Sequence, residues 1–342
     1  MTSKNFVSGC AGGTLSPQEV SLFENERPWG LILFARNCQS RQQVKALTAS
    51  FRQAVNRPQA PVLIDEEGGR VQRLKAPHWS SYPSGRTYGN IYNLNPDEGH
   101  RAAWLAGRLI AFDLAEVGVT INCLPVLDVP VAGVSDVIGD RAYSDRGETI
   151  IKVASAMCEG MMAGGILPVM KHIPGHGRSL VDSHFDLPVV NADLSELQRD
   201  FEPFRHFRGL PFAMTAHLVY RAIDAENPAT TSAEVISKII RADIGFDGCL
   251  FSDDISMQAL KGSIGERAQN VLAAGCDIAL HCNGKFEEMA AVASVATELT
   301  GKSAIRAQQG LDLGLTADTF GEDEARREFS DLLAQYDAAP AS

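Results

Sequence analysis

Three of the chain's eight histidines, His172, His176 and His184, fall in the stretch KHIPGHGRSLVDSHFDLP, residues 171–188. Lys171, Arg178, Asp182 and Asp186 share it, and Pro174, Gly175 and Gly177 interrupt it. Imidazole next to carboxylate supports two chemistries. A metal site would take His172 and His176 with His184, Asp182 or His217, but the i,i+4 spacing of the first two serves a metal only on a helix. Proline and glycine between them argue for a loop instead. Acid–base chemistry needs less: Asp182, two residues before His184, can orient its ring and favour its protonated form. A histidine tuned in this way gives and takes protons near neutral pH. A purely structural loop is the third reading.

Two further stretches carry carboxylates. In Phe251-Ser-Asp-Asp-Ile-Ser-Met257 adjacent acids at a strand end face opposite ways. Asp253 can then enter a site as a nucleophile while Asp254 caps the next helix. In Asp65-Glu-Glu-Gly-Gly-Arg-Val-Gln-Arg73 the glycines allow a turn that gathers acids and bases. An aspartate there can accept paired sugar hydroxyls, and arginine suits planar or anionic groups. A surface ion-pair loop explains Glu66 or Arg70 equally well. Gly139-Asp-Arg-Ala-Tyr143 is a similar loop, in which Arg141 alone is a weak signal.

The elements that must position these groups are short apolar runs separated by helical patterns. Strands are expected at 6–10, 30–37, 61–65, 119–129, 165–170, 212–217, 249–253 and 276–282. Ser16, Pro17 and Glu19 form a helix start with a capping box. Helices are expected from there, up to Phe51, over 95–116 and 148–163, in the Ala-rich run before Cys276, and over 285–300 and 322–336. Thr231 and Glu234 predict a second capping box for a helix to about Arg241. Eight strands with helical crossovers predict an α/β fold, a single (β/α)8 TIM-type barrel. Asp65, Asp128, Lys171, His172, His217 and Asp253 all fall at or just past strand ends, the active face of such barrels. No linker divides residues 1–342, which are read as one catalytic domain with a frayed tail at about 337–342. A doubly wound sheet is the alternative, but no glycine-rich dinucleotide fingerprint follows an early strand.

Composition narrows the function. A net charge of −11, with 31 basic against 42 acidic residues and no basic run, disfavours nucleic acid as partner. Seven scattered cysteines without a CxxC pair read as buried thiols of a reducing compartment and not as a zinc ribbon. The N-terminus lacks a signal-peptide core, and no apolar run approaches the roughly 18 residues of a membrane span. A cytoplasmic enzyme without metal or cofactor is expected.

Taken together, KHIPGHGRSLVDSH, IDEEGGRVQRL, PVLDV, GDRAYS, MTAHLVY and FSDDISM resemble glycoside hydrolase family 3, and within it the single-domain NagZ-type β-N-acetylglucosaminidases of Gram-negative bacteria. The likeness runs from about Asn37 to Asn283. It implies removal of non-reducing terminal β-linked GlcNAc from GlcNAc-1,6-anhydro-MurNAc, with or without peptide, in peptidoglycan recycling. By position it implies Asp253 as nucleophile, His184 as acid/base and Asp182 as its partner. Asp65, Arg73, Arg141, Lys171 and His172 match substrate-binding positions. The chain departs from the pattern at Glu66, where relatives often carry Gln, and at NCLPVLDV. A carbohydrate is the expected partner and a monomer the expected state, with neither nucleic acid nor membrane. A phosphorylase of the same family, a metal-dependent barrel hydrolase and a non-catalytic sugar sensor are the rivals. Gly175, Gly177 and the polar run further predict that His184 rides on a segment that closes over substrate.

Overall fold

In the computed structural model, which describes residues 2–133, 135–179, 187–314 and 316–338, the short apolar runs form a closed barrel of parallel strands. The strands are β1 (Lys4–Ser8), β2 (Pro28–Leu33), β3 (Val62–Ile64), β4 (Ile121–Asn122), β5 (Leu167–Ile173), β6 (Phe212–Thr215), β7 (Cys249–Asp254) and β8 (Ile278–His281). Each pairs with its sequence neighbours, and β1 closes the ring on β8 through Phe6–Ala279 and Val7–Leu280. Strands buried on both faces must be apolar throughout, and all six residues of PWGLIL in β2 are buried.

The barrel interior holds one core and the strand–helix interface another. Leu63, Val169, Met214, Phe251 and Leu280 point inward, whereas Val62, Ile64, Met170, Ala213, Leu250 and Ala279 pack against helices. Trp29, Phe212 and Phe251 fill the barrel interior with ring centroids 5.4–5.8 Å apart. The period-2 alternation then fixes the site. Inward Leu63 is followed two residues on by Asp65, Val169 by Lys171, and Phe251 by Asp253, so all three charges emerge at the C-terminal mouth.

Helix α1 (Pro17–Glu26) starts as the sequence predicts, with the Ser16/Glu19 capping box formed in full, and α2 (Arg41–Ala54) runs past its expected end at Phe51. The long α4 (Pro96–Glu116), capped by Asn95, packs along α5 (Gly147–Ala163), then come α6 (Leu194–His206), α7 (Ile264–Ala274) and α8 (Phe286–Val295). Three helices escape the sequence patterns: α6, α3 (Gly85–Leu94), weakened by glycine and asparagine, and α9 (Gly301–Asp312). The expected helix over 285–300 ends at Val295. The Thr231/Glu234 box is not formed. Thr231 lies in a 3-10 turn and donates its hydroxyl to the Pro228 carbonyl, and Ser232 Oγ instead accepts from Val235 N, opening a π-helical segment, Val235–Asp243.

Two strand boundaries differ from expectation in a way that matters. The strand expected over 119–129 pairs regularly only at Ile121–Asn122, because Pro125 has no N–H to give. The chain beyond it still runs beside β5, which donates from Val169 N to Leu124 O and from Lys171 N to Pro125 O. Strand β5, expected to stop at Met170, continues to Ile173, so Lys171 and His172 belong to the rigid strand and not to the loop. The peptide joining them is cis.

The last helix, α10 (Glu322–Ala338), lies across α4. Arg101 forms a bidentate pair with Glu328 at 2.6 Å, and Arg326 reaches Asp113 at 3.0 Å and Ser80 Oγ at 3.1 Å. Phe329 stands 6.4 Å from Tyr82, whose backbone is tied to Gln72 and Gly69 of the 65–74 loop. Among the described residues no helix is long and apolar enough to cross a membrane. All seven cysteines are free, and all but Cys38 are buried.

Candidate active site

Five charged side chains form one alternating chain across the barrel mouth. Arg73 Nη2 contacts Asp65 Oδ2 at 3.1 Å. Lys171 Nζ lies 2.8 Å from Asp65 Oδ1 and 2.7 Å from Glu67 Oε1. Arg141 then grips Glu67 with two 2.9 Å bonds, from Nε and Nη2. Three cations thus share two acids. Burial opposes charge on each acid, but the cations prevail. Lys171 and Arg73 hold Asp65 well below the usual carboxylate range, and Arg141 and Lys171 hold Glu67 at about 2. Lys171, only 2% exposed, is raised in turn by Asp65 and Glu67 against its own desolvation.

His172 is oriented from behind. Asp128 Oδ2 lies 2.7 Å from its Nδ1, while Oδ1 accepts from the backbone N–H of His172 at 3.2 Å and of His176 at 2.6 Å. Desolvation works against the Asp128 charge, yet His172, His176 and these bonds bring it to about 2. An ionised carboxylate only accepts, so His172 carries its proton on Nδ1 and presents Nε2 to the cleft. His176 is pushed down to about 4 by burial and by His172, whose ring centroid is 5.5 Å away.

Asp253 ends the inward-facing series of β7. Its carboxylate Oδ1 accepts from Asp254 N at 2.8 Å, and its own N–H donates to Thr215 Oγ1 at 3.3 Å. Burial would neutralise it, but His217, His172 and the Asp254 N–H keep it below the ordinary range and so ionised. His217 is itself fastened through Nε2, 3.0 Å from the Asp254 carbonyl. Asp254 does not cap a helix as expected. It accepts from Ser256 N, Ser256 Oγ and Cys282 N, tying the β7 turn to β8, and Ser263 caps α7. The open space among Asp65, Arg73, Arg141, Lys171, His172 and Asp253 is about 280 Å³, with Phe34, Met214 and Met257 as apolar walls. That suits a polyhydroxylated ring with one apolar face.

Of the eight residues selected from sequence, these six line one cleft. The other two, Asp182 and His184, lie outside the described residues, as does the expectation of a closing segment. Glu67 was missed, though a signal existed: Arg73, Arg141 and Lys171 needed more negative charge than Asp65 supplies. Glu66 is buried and not part of a surface ion-pair loop, a role that Arg70 fills with Asp140 at 3.1 Å. Among the described residues no group of three or more His, Cys, Asp or Glu could hold a metal ion.

Arg141 depends on a backbone contact that glycine alone permits. A Cβ on Gly89 of α3 would lie 1.7 Å from the Tyr143 carbonyl oxygen, and one on Gly85 would lie 2.3 Å from that of Arg141. Gly89→Ala is expected to push the 139–143 segment outward. The expected cost is about 1–3 kcal/mol of stability, as for other overpacked sites, with weaker substrate binding through displaced Arg141. Urea unfolding and KM, measured side by side, check both.

A closed parallel barrel with an ion-paired cleft at its C-terminal mouth defines a barrel enzyme. Residues 14–309 match the glycosyl hydrolase family 3 N-terminal domain. The beta-hexosaminidase of Alkalilimnicola ehrlichii is 40% identical over 282 residues, covering 81% of this chain and 80% of that one. That of Bordetella avium is 37% identical over 278 residues, covering 80% and 79%. Among solved structures, NagZ from Neisseria gonorrhoeae in complex with N-trifluoroacetyl-D-glucosamine superposes with a TM-score of 0.84 at 31% identity, over 98% of this chain and 97% of that one. The chain belongs to glycosyl hydrolase family 3. It is a glycoside hydrolase, and α10 lies beyond the segment that the family domain matches.

Proposed function

We propose that this glycoside hydrolase is a retaining exo-β-N-acetylglucosaminidase, removing terminal β-linked GlcNAc from GlcNAc-1,6-anhydro-MurNAc, with or without peptide, in peptidoglycan recycling. The reading includes a cytoplasmic, monomeric enzyme with one catalytic domain. The observation that carries it is Asp253, a half-buried carboxylate kept ionised in the wall of a sugar-sized cleft. The aminosugar is supported by the beta-hexosaminidase names of the relatives and by the glucosamine derivative in the gonococcal complex.

In this mechanism Asp65 accepts from ring hydroxyls, Arg73, Lys171 and Arg141 donate to the sugar, and His172 accepts from a hydroxyl through Nε2. Asp253 attacks the anomeric carbon as His184, protonated and partnered by Asp182, gives its proton to the departing glycosidic oxygen. A covalent glycosyl-enzyme forms and the aglycone alcohol leaves. Neutral His184 then takes a proton from water, whose oxygen attacks the anomeric carbon and displaces Asp253. GlcNAc departs with its β configuration, and both side chains return to their starting states. A carboxylate pair is the usual arrangement. A histidine in the acid/base position avoids repelling the anionic lactyl and peptide groups of the second sugar.

The test compares 4-nitrophenyl β-GlcNAc with the β-glucoside, with and without chelator, in phosphate and in phosphate-free buffer. Expected are chelator-resistant release from the GlcNAc substrate and free GlcNAc in both buffers. GlcNAc-1-phosphate as product would convert the reading to a phosphorylase. Preference for the glucoside would overturn the substrate.

A further inference from the structure

Glu66 sits between two sugar-binding residues and is held unlike either. Its backbone is locked to Asn122, which accepts from Glu66 N at 2.9 Å and donates to its carbonyl at 2.9 Å. Its side chain, in a residue 1% exposed, turns toward the far end of its own loop. There Oε2 accepts from Arg73 N at 2.8 Å and Leu74 N at 3.0 Å. Glu66 therefore draws the two ends of the 65–74 loop together and sets where Arg73 starts its reach to Asp65. Oε1 is buried without a hydrogen-bond partner among the described residues, and Arg73 Nε is in the same position. A charged carboxylate with one oxygen bare in the interior is a costly arrangement, whereas a neutral acid tolerates it far better.

We propose that Glu66 is a positioning residue that holds the Asp65–Arg73 pair in register for substrate as a neutral carboxylic acid, and that its ionisation undoes this. The inference rests on reading Asp65 and Arg73 as sugar-binding residues. Burial pushes the Glu66 carboxyl up to about 8, against the pull of the Leu74 and Arg73 N–H groups, and nearby Asp113 adds to the rise. The groups that face it come from several elements. Arg73 belongs to its own loop. Asp113, on α4, is shared by Tyr82, Arg326 and Arg41. The Cys38 thiol, between β2 and α2, is itself raised to about 12 by burial and by Glu66. Asn122, at the end of β4, is neutral. Once ionised, Glu66 is drawn to Arg73 and so competes with Asp65 for the guanidinium.

The sign follows from the raised value. Between pH 4.5, the ordinary glutamate value, and about 8, the unfolded chain has lost the Glu66 proton and the native protein has kept it. Wild-type stability therefore declines through that window and levels off above it. Glu66→Gln keeps an oxygen for the two N–H donors and cannot ionise. The melting temperature of the variant relative to wild type is expected to climb from pH 4.5 to 8 and then stay level. On 4-nitrophenyl β-GlcNAc, the wild-type KM is expected to rise about tenfold between pH 7 and 9, with the variant changing less than about twofold. Glu66→Met, which removes charge and acceptor together, is expected to share the flat pH profile with a higher KM throughout.

Parallel melting profiles and superimposable KM profiles for wild type and both variants would overturn the assignment while leaving the proposed reaction intact. Diverging melting profiles in proteins that cleave no β-GlcNAc glycoside would do the reverse: Glu66 stands as a buried neutral acid, and the reaction falls.

Discussion

Asp253→Ala is expected to lower kcat on 4-nitrophenyl β-GlcNAc by about 10⁴-fold, or about 5.5 kcal/mol of transition-state stabilisation. KM should change little, because the residues proposed to bind the sugar, Asp65, Arg73, Lys171, Arg141 and His172, all remain. The loss is large because no neighbouring acid among the described residues is free to replace the carboxylate. Asp254, its neighbour, is spent on Ser256 and Cys282 N, and Glu67 is committed to Lys171 and Arg141. The fold should survive, since Asp253 forms no ion pair among the described residues and its backbone N–H bond to Thr215 is unaffected. Azide, entering the space left by the carboxylate, should restore release and leave an α-glycosyl azide. More than a tenth of wild-type kcat remaining in the variant would rule Asp253 out as the nucleophile.

Glu67→Gln is expected to be the most destabilising single change at the site. The variant keeps the shape of Glu67 but leaves Lys171, 2% exposed, with Asp65 alone and Arg141 with no paired acid among the described residues. Removing one partner of a buried charge pair costs about 3–5 kcal/mol. The sign with pH is opposite to that at Glu66. A carboxyl lowered to about 2 contributes stability that is complete above its unfolded value near 4.5 and fades as pH falls toward 2. Wild type and Glu67→Gln should therefore differ most at neutral pH and converge on acidification. Denaturant unfolding from pH 7 down to 3 measures this directly, and a constant gap would mean that Glu67 acts through packing and not through charge. KM should rise in the variant as Lys171 and Arg141 lose their common anchor.

The barrel and most of its cleft were legible in the sequence because period-2 burial leaves little freedom at a strand end. With Phe251 inward, Asp253 had to be inward and Asp254 not. The same counting places Asp65 and Lys171. What escaped depended on contacts between distant segments. Helix α3 has a poor intrinsic propensity and exists because Tyr88 and Ile91 are buried and its glycines admit the Tyr143 backbone. Glu67 reads as one acid among several until Arg141, 74 residues away, closes on it. Thr231 and Glu234 had the right spacing for a cap, but the adjacent Pro228 carbonyl claimed the hydroxyl first. Helix α3 and Glu67 escaped because distant partners decide them, and the Thr231 cap failed because a carbonyl three residues back competed for its hydroxyl.

The brace between α10 and the 65–82 segment has a consequence for synthesis. A ribosome delivers the barrel strands in order, and β8 is complete at His281. The loop bearing Asp65 and Arg73, among the first site residues made, then still lacks Arg326 against Ser80 and Phe329 against Tyr82. Emergence of the chain at about 5–20 residues per second therefore separates closing the ring from finishing its mouth by several seconds. During that interval the nascent protein holds all eight barrel strands and an unbraced 65–74 loop.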